Sequence, residues 1–112
     1  MDLIDWNDFT KVELRVGEII EVNDFPEARN PSYKLVIDFG EALGTRKSSA
    51  QITTLYSKQD LLNKRVVAVI NFPKKQIGPF MSECLVTGFH NSESDVALCT
   101  PDKNVPLGSK LL

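Results

Sequence analysis

The chain has 112 residues, 42% of them hydrophobic and 25% charged, which suits one soluble globular domain with a real core and excludes a disordered or low-complexity chain. No apolar run approaches the roughly 20 residues that span a bilayer, and the opening Met1-Asp2-Leu3-Ile4-Asp5 is acidic where a secretory signal is basic, so a cytoplasmic protein without membrane insertion is expected. The net charge of −2 hides a polarity: residues 1–41 hold ten acids against Lys11, Arg15, Arg29 and Lys34, whereas residues 42–82 hold seven bases against Asp60 alone, so only the middle third would welcome a polyanion.

From the N-terminus, Leu3, Trp6 and Phe9 are spaced for a short turn or one-turn helix, with Trp6 and Phe9 as its anchors. Between Lys11 and Val22 the period falls to two, which predicts a long half-buried strand with Val12, Leu14, Val16, Ile20 and Val22 inward and a bend at Gly17. Pro26, Asn30 and Pro31 mark a loop. Tyr33, Leu35, Ile37 and Phe39 then line one face of a second strand that Gly40 stops. Residues 45–52 are polar and read as a third or edge strand that offers Ser48 and Ser49 to a ligand. Ser57-Lys58-Gln59-Asp60 has the S-x-x-D spacing of a capped helix start, giving one short helix that ends near Asn63. Arg65–Phe72 is apolar and β-branched and predicts the most buried strand. Glu83–Phe89 reads as a fifth, and Val96–Cys99 as a possible extension of the sheet. Five strands with a helix between the third and fourth give an all-β OB-fold, a Greek-key barrel. One domain is expected over 1–112, with a core at about 10–90, an N-terminal extension at 1–9 and a C-terminal one at 91–112.

The densest chemistry lies in Asn71–Phe89, NFPKKQIGPFMSECLVTGF. Pro73 lacks a backbone donor, so Lys74 and Lys75 are expected on a loop and outside any ladder, with Gly78-Pro79 as a second break and Ser82 opening a new apolar segment. This loop is either a ligand-binding element or an ordinary solvated connection. Cys84 and Cys99 have no metal or disulfide spacing and read as small buried hydrophobes. The one histidine, His90, sits in a predicted surface turn with no nucleophile or carboxylate pair spaced to work with it, so neither catalysis nor a metal or other cofactor is expected.

Together, DFTKVELRVGEIIEV at 8–22, SSAQI at 48–52, VVAVINFPKK at 66–75 and SECLVTG at 82–88 resemble the tRNA-binding-domain family of OB-folds, in particular its branch of export-related chaperones. The resemblance runs over essentially the whole chain. It implies a non-catalytic homodimer, with Trp6, Phe9, Leu107, Leu111 and Leu112 at the dimer interface; alternatively those side chains cover the ends of their own barrel. It also implies two ligand classes. For a chaperone of unfolded or precursor polypeptides, Phe72, Ile77, Phe80 and Met81 would line an apolar groove. For tRNA or another structured RNA, Arg46, Lys47, Lys74 and Lys75 would meet phosphates, and Ser48, Ser49, Asn71 and Ser82 would hydrogen-bond sugars or bases. Arg15 would stack or pair with the RNA unless Glu13 holds it. Asn71, Pro73, Lys74 and Ser82 sit at or near the places of the family's RNA-binding loop. Its glycine before the serine is displaced to Gly78, and its Gly-Met after the serine is replaced by Cys84-Leu85.

Overall fold

The computed structural model describes the whole chain, Met1–Leu112. Its central strand is β1 (Leu14–Asp24), which pairs antiparallel with β2 (Tyr33–Asp38) over its second half and with β4 (Arg65–Val69) over its first. With β3 (Thr45–Ala50) and β7 (Leu85–Val86) the sheet order is β3-β2-β1-β4-β7. The fourth strand thus returns to lie beside the first, as a Greek key requires. Opposite β1 the sheet nearly closes: Glu83 N–H donates to the Lys47 carbonyl (2.7 Å), and the Ser48 hydroxyl donates to the Cys84 carbonyl (2.8 Å). This is the expected five-stranded OB-type barrel.

The alternation of β2 behaves as its sequence predicts, and Tyr33, Leu35, Ile37 and Phe39 are all buried in the core. β1 does not. Its first half points Gly17 and Ile19 into the barrel, in register with core residues of β4 and β2 (Gly17 with Val66, Ile19 with Ile37). Ile20 points outward, 41% exposed, and a register shift between Ile19 and Glu21 then returns Val22, opposite Leu35, to the core face. Val12 is also exposed, and Val16 is buried on the face opposite Gly17. The inner row is hidden in the sequence because Gly17 has no side chain and the bulge adds one residue to the count.

Helix α1 (Trp6–Thr10) starts on a capping box between Asp5 and Asp8, and α2 (Lys58–Leu61) on one between Ser57 and Asp60. Leu61 of α2 is fully buried in the barrel core. Trp6 is 67% exposed, and its ring pairs with that of Phe9, centroids 5.5 Å apart.

Beyond β4 the chain forms a hairpin, β5 (Lys75–Ile77) and β6 (Phe80–Ser82), turning at Gly78-Pro79 with Gly78 at φ +56°. Lys75 therefore lies within a ladder, opposite Ser82, contrary to the expectation from Pro73. β4 has already ended at Val69, and Pro73 leaves the residues after it free to extend again. The predicted fifth strand is likewise split, its end passing into β8 (Gly88–His90), which pairs with β9 (Val96–Leu98). The C-terminal tail adds to the edge of β1 that β2 leaves free, through Val16 N–H to Ser109 O (3.0 Å), Gly108 N–H to Val16 O (2.8 Å) and Leu111 N–H to Leu14 O (2.9 Å). No helix is long and apolar enough to cross a membrane.

Candidate chain-binding groove

The β1–β2 loop, the end of β3, the β5–β6 hairpin, β7 and the β8–β9 hairpin surround an open groove of about 980 Å³. Its less exposed lining is largely apolar, with Ile52, Cys84, Val86, Val96 and Leu98, and its exposed lining is mostly polar, with Arg29, Asn30, Gln51, Lys75, Gln76 and His90. The loops between strands one and two and between strands four and five are where OB barrels take ligands, and here both border the groove. They are also tied together. Phe25 of the first packs in a tilted contact on Phe80 of the hairpin, centroids 5.4 Å apart, Lys34 sits over the Phe25 ring at 5.6 Å, and Lys47 sits over the Phe80 ring at 5.7 Å.

The residues singled out from the sequence divide into three groups. Ser49, Lys75, Ile77 and Ser82 line the groove. Around the hairpin, Lys47 is held over Phe80, Lys74 reaches Glu83 at 3.5 Å, Met81 is half-buried and Phe72 stands 55% exposed. The rest are engaged within the fold. Ser48 is wholly buried, because its register with Leu35 turns it into the barrel, so it is not available to a ligand as its sequence position suggested. Arg46 shares that inward parity and donates to the Ile70 carbonyl at 3.0 Å. Arg15 donates to Glu13 (2.8 Å) and to the Gly108 carbonyl (2.9 Å), which fastens the tail to β1. Asn71 accepts from Glu13 N–H (3.0 Å) and donates to the Lys11 carbonyl (2.7 Å), bracing the end of β4 against the approach to β1.

Asn71→Ala removes both bonds, and urea unfolding is expected to report a loss of about 1–2 kcal/mol. Asn71→Asp retains the acceptor and is expected to lose less.

Arg29, Gln51, Gln76 and His90 were not among the sequence candidates for the groove. Arg29 lies in a loop whose position over the barrel mouth follows only from the topology, and His90, read as a surface turn residue, ends β8 on the groove wall. Cys84 is buried, which pushes its thiol up to about 11, so it remains protonated and unreactive at neutral pH. Cys99 is a free, half-buried thiol.

Glu83 fixes the hairpin to β3. Its carboxylate accepts the Lys47 N–H at 2.9 Å, and this bond, followed by the Lys74 ammonium, holds its pKa below the usual carboxylate range. A carboxyl whose pKa is depressed on folding stabilises the fold above its unfolded pKa, and that contribution disappears as pH falls through the folded value. Acid unfolding below about pH 4.3 should therefore include this seam. Glu83→Gln is expected to flatten part of that acid limb, measured as urea midpoint against pH.

A second concavity, about 280 Å³, lies between α1 and the tail and is lined by Trp6, Phe9, Val12, Lys110, Leu111 and Leu112. Leu107 is not part of it and packs instead against Gly40, a residue at φ +92°.

A small Greek-key barrel with a cationic, apolar-lined groove across its loop-bearing face is the architecture of an OB-type binding module. Residues 14–110 match the putative tRNA binding domain family, and the chain belongs to that family. It is similar in structure to the CsaA chaperone protein of Picrophilus torridus, with 51% identity and a TM-score of 0.92, covering 98% of this chain and all of that one. The chaperone CsaA of Bacillus anthracis is also similar, with 41% identity and a TM-score of 0.92 over 99% of this chain and all of that one. Among curated sequences, the methionine--tRNA ligase of Thermococcus onnurineus is 35% identical over 111 residues, 99% of this chain but only 15% of the ligase.

Proposed function

We propose that this protein is a non-catalytic, cytoplasmic chaperone that acts as a homodimer and holds unfolded or precursor polypeptides destined for export in the groove between its loops. The observation that carries the reading is the lining: aliphatic side chains below, hydrogen-bonding and cationic ones above, a combination that accepts many sequences. The similarity to two CsaA chaperones over nearly the whole chain supports it. The exposed Trp6, Leu111 and Leu112 beside the second concavity support the dimer. The test is light scattering from a chemically denatured client diluted into buffer. Aggregation is expected to fall as the protein approaches a few-fold excess, and unchanged scattering at that excess would remove the reading.

A second reading, tRNA binding, is favoured by the family match and by the exposed lysines of the hairpin region. It has less support from the groove. Of the four middle-third cations assigned to phosphates, Arg46 is committed to the Ile70 carbonyl, Lys74 lies 3.5 Å from Glu83 and Lys47 lies over the Phe80 ring. The one phenyl ring in the lining, Phe25, is buried against Phe80 and is not an open stacking platform. Fluorescence anisotropy with tRNA discriminates: sub-micromolar affinity that falls steeply with salt supports RNA binding, and no binding at about 50 mM salt excludes it.

A further inference from the structure

In a chain with 15 carboxylate side chains, none lines the groove, whereas Arg29 and Lys75 both do, and His90 with them. Neither Arg29 nor Lys75 forms an ion pair within the protein, because the six pairs present use other residues. They come from different elements, Arg29 from the β1–β2 loop and Lys75 from β5, so an occupant of the groove meets positive charge from two separate pieces of chain. The nearby acid Glu83 is turned away into its bonds with the Lys47 backbone and Lys74. Beneath the cations lie Ile52, Val86, Val96 and Leu98.

Resting on the polypeptide reading above, we propose that the groove selects among unfolded segments by charge: it takes extended apolar stretches that carry aspartate or glutamate and turns away those that carry lysine or arginine. An acidic side chain meets two unpaired cations with no carboxylate to repel it. A basic one meets like charge with nothing in the lining to offset it. A phosphate chain is the poorer fit. It carries a charge at every nucleotide against two unpaired cations here, and it gains little from an aliphatic floor.

The experiment uses the full chain and three labelled peptides with identical apolar residues, interspersed with Glu, with Gln or with Lys, read by fluorescence anisotropy at low ionic strength. The expected order of affinity is Glu, then Gln, then Lys, spanning about tenfold or more between the extremes, with the span shrinking as salt is added. Arg29→Glu combined with Lys75→Glu is expected to invert the order, with circular dichroism as the check on folding. Both residues are exposed, and if the pair of changes disturbs the fold, the peptide series on the unaltered chain decides by itself. Equal affinities for the three peptides would overturn charge selection and leave the chaperone reading standing. No binding of any peptide would end both. Displacement of the Glu peptide by a single-stranded RNA at lower concentration, dependent on Arg29 and Lys75, would assign the groove to nucleic acid and also overturn the proposal.

Discussion

Replacing Gly17 with alanine is expected to destabilise the barrel by about 3 kcal/mol, and with valine by more, through overpacking of a filled core. A β-carbon at this position would lie 2.5 Å from Cγ2 of Ile37 and 2.7 and 2.9 Å from ring atoms of Phe39. Neither neighbour has room to retreat. Ile37 is fully buried and Phe39 nearly so, and both belong to the core cluster. The backbone cannot easily yield either, since β1 pairs with β4 on one side while the tail and β2 share the other. Elsewhere in a strand, alanine in place of glycine gains about 0.5–1 kcal/mol from restricting the unfolded chain, so the sign of the effect is itself informative. At about 4–8 °C per kcal/mol for a domain near this size, a midpoint lower by about 12–24 °C is expected for alanine. A neutral or stabilised Gly17→Ala protein would show that the barrel is not closed around this position.

That prediction depends on something the sequence conceals. The period-two pattern of β2 and the apolar run of β4 are legible because their inward positions are all apolar, though β4 ends at Val69 and the predicted strand's last residues, Asn71 and Phe72, are exposed. β1 misleads for the opposite reason: the position in closest contact with the core is a glycine, and the bulge after Ile19 reverses the parity of the rest of the strand. The two capping boxes at Asp5 and Ser57 illustrate the difference, since the Ser57 start could be read from hydroxyl and carboxylate three residues apart, while the first helix was expected from its apolar spacing alone. Both reflect local chemistry, which sequence carries well.

The site was legible to a lesser degree because a groove is assembled from pieces distant in sequence. Lys75, Ile77, Ser49 and Ser82 stand out through their neighbours in the chain, but Arg29 and His90 join them only because the loop after β1 and the β8–β9 hairpin meet the β5–β6 hairpin across the barrel mouth. Hydrogen-bonding residues posed the reverse problem. Ser48, Asn71, Arg15 and Arg46 have the chemistry of ligand contacts, yet each is used by the fold: Ser48 at the barrel seam, Asn71 and Arg46 at the end of β4, and Arg15 at the tail. Polar groups that close a small barrel look, in sequence, like polar groups that wait for a partner.

The other large expected effect concerns the proposed dimer. Trp6→Glu should weaken self-association by about 30-fold or more, the loss associated with a tryptophan near the centre of an interface, where truncation costs about 2 kcal/mol or above. Within one chain the residue is 67% exposed and its ring pairs only loosely with Phe9, so its replacement should leave the stability of the monomer within about 0.5 kcal/mol. The two measurements therefore separate cleanly: urea unfolding of the dissociated protein should be unchanged while sedimentation velocity reports a shift from dimer to monomer at the same concentration. Leu111→Glu, on the tail strand that lines the same concavity, should act in the same direction. Because Trp6 is the only tryptophan in the sequence, its emission gives an independent readout, moving to shorter wavelength as concentration rises and the ring leaves water. If the unaltered protein sediments as a monomer up to high micromolar concentration with no change in that emission, the apolar surface around Trp6 is not a self-interface, and the homodimer is lost from the proposed function without affecting the groove.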